Sequence, residues 1–314
     1  MNKEKTGYGQ ATGKIILMGE HSVVYGEPAI AFPFKEAVIT TNIALATVTT
    51  LDCHYFSGEL ADFPSQLKSV KEVINQALIA LHQENVPLKI TITSSIPPER
   101  GMGSSAAVAV SIVRALFDFF DAECSPELLL PLVNFAEKIA HGNPSGIDAA
   151  ATSGDEPIFF IKGHSLETFS MNVSKGYLIV ADTGIKGQTR EAVKDVAHLF
   201  KQNKKTVSRH ITELGRLTKL AKQAILTDDI HLLGASMDQA QKQLQALTVS
   251  NQQLDQLVST AKDHGAIGAK LTGGGRGGCM IALSDSKEQA IIIAKALADS
   301  GAKKTWIQSL EVKK

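Results

Sequence analysis

The sequence predicts a mixed α/β fold in two parts. Three observations carry that prediction. Strand-like and helix-like segments alternate as far as Asp182. Beyond the break at Asp182-Thr183-Gly184, long helical periods fill Thr189 to His264 with little strand between them. The 314 residues are long for a single core, which leaves two domains or one large α/β unit. We place the boundary at residue 182, so that 1–182 and 183–314 form the two domains.

Taken in order, Ala11 to Met18 reads as a buried strand after a glycine-rich start, and Gly26-Glu27-Pro28 as a turn. Ala37 to Thr50 is rich in Val, Ile and Thr, which favours further strand. Lys68 to Glu84 sets Val70, Val73, Ile74, Ala77, Leu78 and Leu81 at helical spacing. Leu88 to Thr93 alternates as a half-buried strand. Ser104 to Phe120 is a mostly apolar helix, expected to be buried on most faces. The next helix opens with Ser125 at the cap and Pro126 at the first helical position. It runs to about His141, because Pro144 pushes residue 143 out of the α region. Pro157 to Ile161 and Tyr177 to Ala181 read as strands. After the long helical stretch, Leu271 to Gly278 is a glycine-rich loop and Cys279 to Leu283 a strand. Lys287 to Asp299 reads as a helix and Lys304 to Leu310 as a last strand.

Composition narrows the function classes. Lysine plus arginine and aspartate plus glutamate stand at 32 each, so the formal charge is zero. That speaks against a broad nucleic-acid surface or a polybasic membrane face. Cys53, Cys124 and Cys279 are widely spaced with no Cys-x-x-Cys pair, so neither a disulfide framework nor a zinc site is expected, and a reducing cytoplasm fits. The polar start has no apolar signal core, and no run approaches the length of a membrane span. The expected location is cytoplasmic, with neither nucleic acid nor membrane as a partner.

The stretch richest in chemistry is Pro97-Pro98-Glu99-Arg100-Gly101-Met102-Gly103-Ser104-Ser105-Ala106-Ala107, between a strand and an apolar helix. Backbone amides of such a loop can wrap a phosphate, and the helix N-terminus adds partial positive charge. Serine hydroxyls there can bond phosphate or join a magnesium ion's ligands. The run is neither a Walker loop nor a dinucleotide fingerprint, and a Gly-Ser turn that merely caps a core helix remains open. A second cluster, Gly273-Gly274-Gly275-Arg276-Gly277-Gly278, lets backbone approach a ligand or forms a flexible hairpin. Glu137 on a helix and Asp148 past its end can converge, one on magnesium and one on a proton, or both can be solvated surface acids. Lys14 near the start of a buried strand, with Glu20-His21 at its end, suits a polar substrate. The plainer alternatives are a snorkelling lysine and a core histidine.

Three of these segments, Gly13 to Ala29, Pro97 to Ala107 and Lys270 to Cys279, resemble in order the signature motifs of the galactokinase, homoserine, mevalonate and phosphomevalonate (GHMP) kinase superfamily. Gly-Lys-Ile-Ile-Leu-Met-Gly-Glu-His from Gly13, together with His-Gly-Asn-Pro-Ser-Gly-Ile-Asp from His141, is most similar to its mevalonate kinase branch. The resemblance implies a two-domain GHMP kinase fold, with a ribosomal-protein-S5-like N-terminal domain that binds ATP. It implies a ferredoxin-like C-terminal domain with added helices, and an active site in the cleft between them.

The resemblance also implies roles. Asp148 matches the catalytic base, and Lys14 the lysine beside it that offsets charge on the reacting oxygens. Glu137 and Ser105 match the ligands of Mg2+, with ATP as co-substrate. Pro97, Gly101, Met102, Gly103, Ser104, Ser105 and Ala106 would surround the ATP phosphates. Glu20, His21, Ser145 and Thr189 match positions near mevalonate, and Gly273 and Gly274 would support the substrate site. Two departures stand out: Gly274 replaces the family's alanine, and Arg276 replaces a glycine, free either to reach phosphate or to face solvent. The superfamily contains monomers and dimers, so a homodimer is open. The rival expectations are another GHMP kinase, for phosphomevalonate, homoserine or galactose, and a non-catalytic ligand-binding member.

Overall fold

In the computed structural model, residues 5–97, 99–142 and 144–311 are described; Pro98 and Asn143 of the motifs above lie outside them. The chain clusters into two compact units. One is Met1–Lys14, Pro33–Pro97 and Gly103–Asp155; the other is Ile15–Phe32, Pro98–Met102 and Glu156–Lys314. The chain therefore passes between units inside its first two strands, β1 (Thr6–Met18) and β2 (Ala29–Leu45), which pair with each other.

The first unit continues with β3 (Thr50–Cys53), β4 (Phe56–Glu59), α1 (Lys68–Ala80), β5 (Leu88–Ser94), α2 (Ser104–Phe119), α3 (Pro126–His141) and α4 (Ile147–Ser153). Its sheet runs β4-β3-β5-β2, with β3 parallel to β5 and the other two pairs antiparallel. The central helix is α2: Ala106, Ala107, Val110, Ile112, Val113 and Leu116 are all buried, as its nearly continuous apolar sequence requires. It packs against α1, α3 and α4.

The second unit holds β6 (Ile158–Phe160), β7 (Glu167–Thr168), β8 (Tyr177–Asp182), α5 (Thr189–Gln202), α6 (Lys204–Leu226), α7 (Ile230–Ala246) and α8 (Gln252–Asp263). It ends with β9 (Gly268–Thr272), β10 (Cys279–Ser284), α9 (Lys287–Asp299) and β11 (Lys304–Ser309). Four strands form one antiparallel sheet in the order β11-β8-β10-β9. Relabelled by chain order, that is 4-1-3-2, the split βαβ arrangement of a ferredoxin-like fold, with α5 to α8 filling the first crossover. Residue 182 ends β8, an inner strand of this sheet, whereas the compact units part at 155/156.

Some elements differ from the sequence expectation. β1 begins at Thr6 because Gly7, Gly9 and Ala11 face inward while Tyr8 and Gln10 face out, an alternation that glycine hides from a hydropathy reading. The β3–β4 pair and α4 are short and were not expected. β9 replaces the start of what reads as loop. No helix among the described residues is long and apolar enough to cross a membrane.

Candidate active site

Four polar side chains from four elements of the first unit meet. Lys14 comes from β1, Ser105 from the first turn of α2, Glu137 from the last turns of α3, and Asp148 from the first turn of α4. Lys14 Nζ lies 3.1 Å from Asp148 Oδ1, with the lysine buried and the carboxylate partly open. Glu137 is 3% exposed. Burial pushes its carboxyl above the ordinary range, against the lowering pull of the Ser105 hydroxyl bond and His141; Asp148 adds to the rise and Lys14 opposes it. His141 Nε2 stands 3.8 Å from Glu137 Oε2. Beside them is a concavity of about 200 Å³ lined by Asn134, Glu137, His141, Ser145, Gly146 and Asp148.

The loop ahead of α2 explains how the cluster closes. Gly103 caps the helix at φ 71°, a conformation that disfavours a side chain. A Cβ there would come within 2.7 Å of Lys14 Cγ, so glycine is what lets the lysine lie against the helix start. The first intrahelical bond is Ala107 N–H to Gly103 O at 3.0 Å. The amides of Ser104, Ser105 and Ala106 therefore have no acceptor within the helix, and no side chain caps it. Such amides at a sixteen-residue helix suit an anion.

Glu137 Oε1 is buried without a hydrogen-bond partner. An orphaned carboxylate oxygen next to a serine hydroxyl fits a hard divalent cation, and two protein oxygens suffice for one whose other ligands are phosphate and water. Among the described residues, no group of three His, Cys, Asp or Glu could hold a metal by itself.

The second unit carries the other group of expected residues. Glu20 and His21 are buried at the turn after β1. Lys270 of β9 forms an ion pair with Glu20 Oε1. His21 Nε2 lies 2.9 Å from Gly274 O. Burial lowers the His21 pKa, the Gly274 bond opposes this, and Arg276 and Lys270 lower it further, which favours the neutral imidazole. Thr189 opens α5 beside Gly274, where a Cβ would fall 2.0 Å from Thr189 Oγ1. The alanine expected at this position therefore has no room here. The Arg276 guanidinium pairs with Asp195, and Nε donates to Thr248 O at 3.2 Å.

The stretch Glu99 to Met102 is anchored within the same unit. Arg100 Nε donates to Asp182 Oδ1 at 2.8 Å, its guanidinium also reaches Gly184 O at 2.9 Å, and Gly187 N–H donates to Glu99 O at 3.2 Å. Gly101 has φ 74°, Met102 is buried, and Pro97 is half-buried. Ser145 sits on the concavity next to Asp148. Sequence reasoning missed Asn134, Lys270 and the Arg100–Asp182 pair. Asn134 was legible only as one turn before Glu137. Lys270 was legible as a lysine inside an apolar run.

Residues 68–155 match the family described as GHMP kinases N terminal domain, and residues 221–303 the family described as GHMP kinases C terminal. An open helix N-terminus, a lysine–aspartate pair and a metal-fitting glutamate on that fold define an ATP-dependent small-molecule kinase. A mevalonate kinase from Pyrococcus furiosus is 32% identical over 310 residues, covering 92% of each chain. A Staphylococcus aureus mevalonate kinase structure is 35% identical with TM-score 0.78, covering 98% of this chain and 100% of that one. The L. major mevalonate kinase, solved in complex with R-mevalonate, superposes with TM-score 0.84 at 27% identity, covering 98% of each chain. The chain belongs to the mevalonate kinase family of the GHMP kinases.

Proposed function

We propose that this enzyme transfers the γ-phosphoryl group of ATP to the primary hydroxyl of (R)-mevalonate, giving 5-phosphomevalonate and ADP. The observation that carries the mechanism is the buried Lys14 paired with the partly open Asp148, next to the unsatisfied Glu137 oxygen. Asp148 accepts the hydroxyl proton as the substrate oxygen forms its bond to the γ-phosphorus. The bond from that phosphorus to the β–γ bridging oxygen breaks, and ADP leaves. Lys14 holds the Asp148 carboxylate in one direction and balances negative charge on the reacting oxygens. The open amides at the start of α2, with Pro97 and Gly101 to Ala106, receive the triphosphate. A divalent ion, which we assign as Mg2+, would be held by Ser105 and Glu137 and would supply positive charge to the triphosphate. Phosphoryl transfer needs positioning and charge balance above all, and these residues supply both.

Glu20, His21, Ser145, Thr189, Gly273 and Gly274 are read as the mevalonate-binding residues. The three cysteines are unpaired, which fits a cytoplasmic enzyme. A coupled ADP-release assay across mevalonate, phosphomevalonate, homoserine and galactose tests the substrate. Turnover confined to another of these would overturn it. Asp148→Asn tests the base: turnover should fall about 10²- to 10⁴-fold with ATP binding retained. Near-normal turnover would remove Asp148 from that role.

A further inference from the structure

The Gly19-Glu20-His21 corner is held by a side chain that the mechanism above does not use. Lys270 lies in β9 with no exposed surface. Its ammonium donates to Glu20 Oε1 and, at 2.7 Å, to Leu271 O. A buried ion pair is a poor source of stability, because desolvating two charges offsets most of their attraction. Removing the lysine alone would strand a buried carboxylate, so what the pair secures is the placing of Glu20 rather than net stability.

The two atoms left open at this corner show what that placing serves. Glu20 Oε2 and His21 Nδ1 are both buried with no hydrogen-bond partner. The partner of His21 Nε2 is a carbonyl, which can only accept, so Nε2 carries the proton and Nδ1 is an acceptor. Both open atoms are therefore acceptors. They suit a hydroxyl donor and repel a carboxylate.

We infer that Lys270 is a positioning residue: by occupying Glu20 Oε1 it fixes the carboxylate plane and leaves Oε2 to accept a hydrogen bond from a substrate hydroxyl. This rests on reading Glu20 as a mevalonate-binding residue. Burial pushes the Glu20 carboxyl above its ordinary range, and Lys270 opposes that rise; His21, itself under the field of Arg276, is the other titratable group at this corner. The backbone amides of Glu20 and Gly273 act in the same direction as Lys270.

Kinetics of Lys270→Met, Glu20→Gln and the double variant test the inference, after wild-type turnover of mevalonate has been measured. Absence of that turnover would overturn the proposed substrate, not the role of Lys270. Lys270→Met should raise KM for mevalonate about 10- to 100-fold and leave KM for ATP within about twofold. The acidic limb of kcat/KM for mevalonate should move to higher pH, because Glu20 loses the cation that opposes the rise burial imposes on its carboxyl. The double variant should be no worse than Glu20→Gln alone, since Lys270 acts through Glu20. An unmoved acidic limb, or a double-variant loss equal to the product of the single losses, would overturn the inference. If Lys270→Met does not fold, the double variant against Glu20→Gln still decides: equal KM supports positioning, and a further rise refutes it.

Discussion

At the scale of the residue, Glu137 shows how a binding group is bought with stability. Burial raises its carboxyl pKa, so the folded protein holds that proton more tightly than the unfolded chain does. The metal-free protein therefore has the full benefit below the ordinary carboxylate range and loses it as pH rises through the raised folded value. Glu137→Gln should make the metal-free protein at neutral pH more resistant to thermal unfolding, while Mg·ATP no longer raises the melting temperature. Melting curves with and without Mg·ATP check both halves. A variant stabilised by Mg·ATP as strongly as wild type would remove Glu137 from the metal site. Arg276 makes the complementary point. Its residue type was plain, yet its partner Asp195, 81 positions earlier, follows only from how α5 packs in the second unit.

At the scale of the element, the start of α2 sets the geometry of the site. Gly103 has to be left-handed and has to lack a Cβ. Gly103→Ala should cost about 1–2 kcal/mol from backbone conformation alone. It should also push Lys14 off Asp148, lowering kcat more than it raises KM for ATP. Denaturant unfolding and steady-state kinetics measure the two effects, and unchanged kcat would show that Lys14 does not need that contact. α9 was legible to the residue because its ends are marked locally, by Ser286 capping the start and by the left-handed Gly301 just past Ser300. The β3–β4 pair and α4 were not, since four to seven residues carry too few repeats to show a period.

At the scale of the whole molecule, the thiols report on folding. Cys279 lies in β10, an inner strand, wholly buried, and burial raises its pKa, with Asp182 adding to the rise. Neither access nor thiolate is present in the native state. Alkylation at pH 8 followed by mass spectrometry should label Cys53 and Cys124, both partly exposed, in the folded protein. Cys279 should be labelled only at the rate of unfolding. Native-state labelling of Cys279 at the rate of Cys53 would contradict the packing of that sheet. The zero formal charge, already legible in composition, predicts no retention on an anionic polymer at physiological salt.

The order of the motifs along the chain was enough to identify the chemistry. The glycines before α2 answer a local need, open amides and a left-handed cap, whereas the roles of Lys14, Glu137 and Asp148 came only from the resemblance to the GHMP kinases. The second unit's helices and most strands follow likewise from period and turn residues. Tertiary structure alone decided which atoms are left without partners. Lys270 against Glu20, Thr189 filling the space over Gly274, and the orphaned Glu137 oxygen join residues far apart in sequence. Burial and hydrogen-bond satisfaction belong to the packed chain, and no local pattern of residues encodes them.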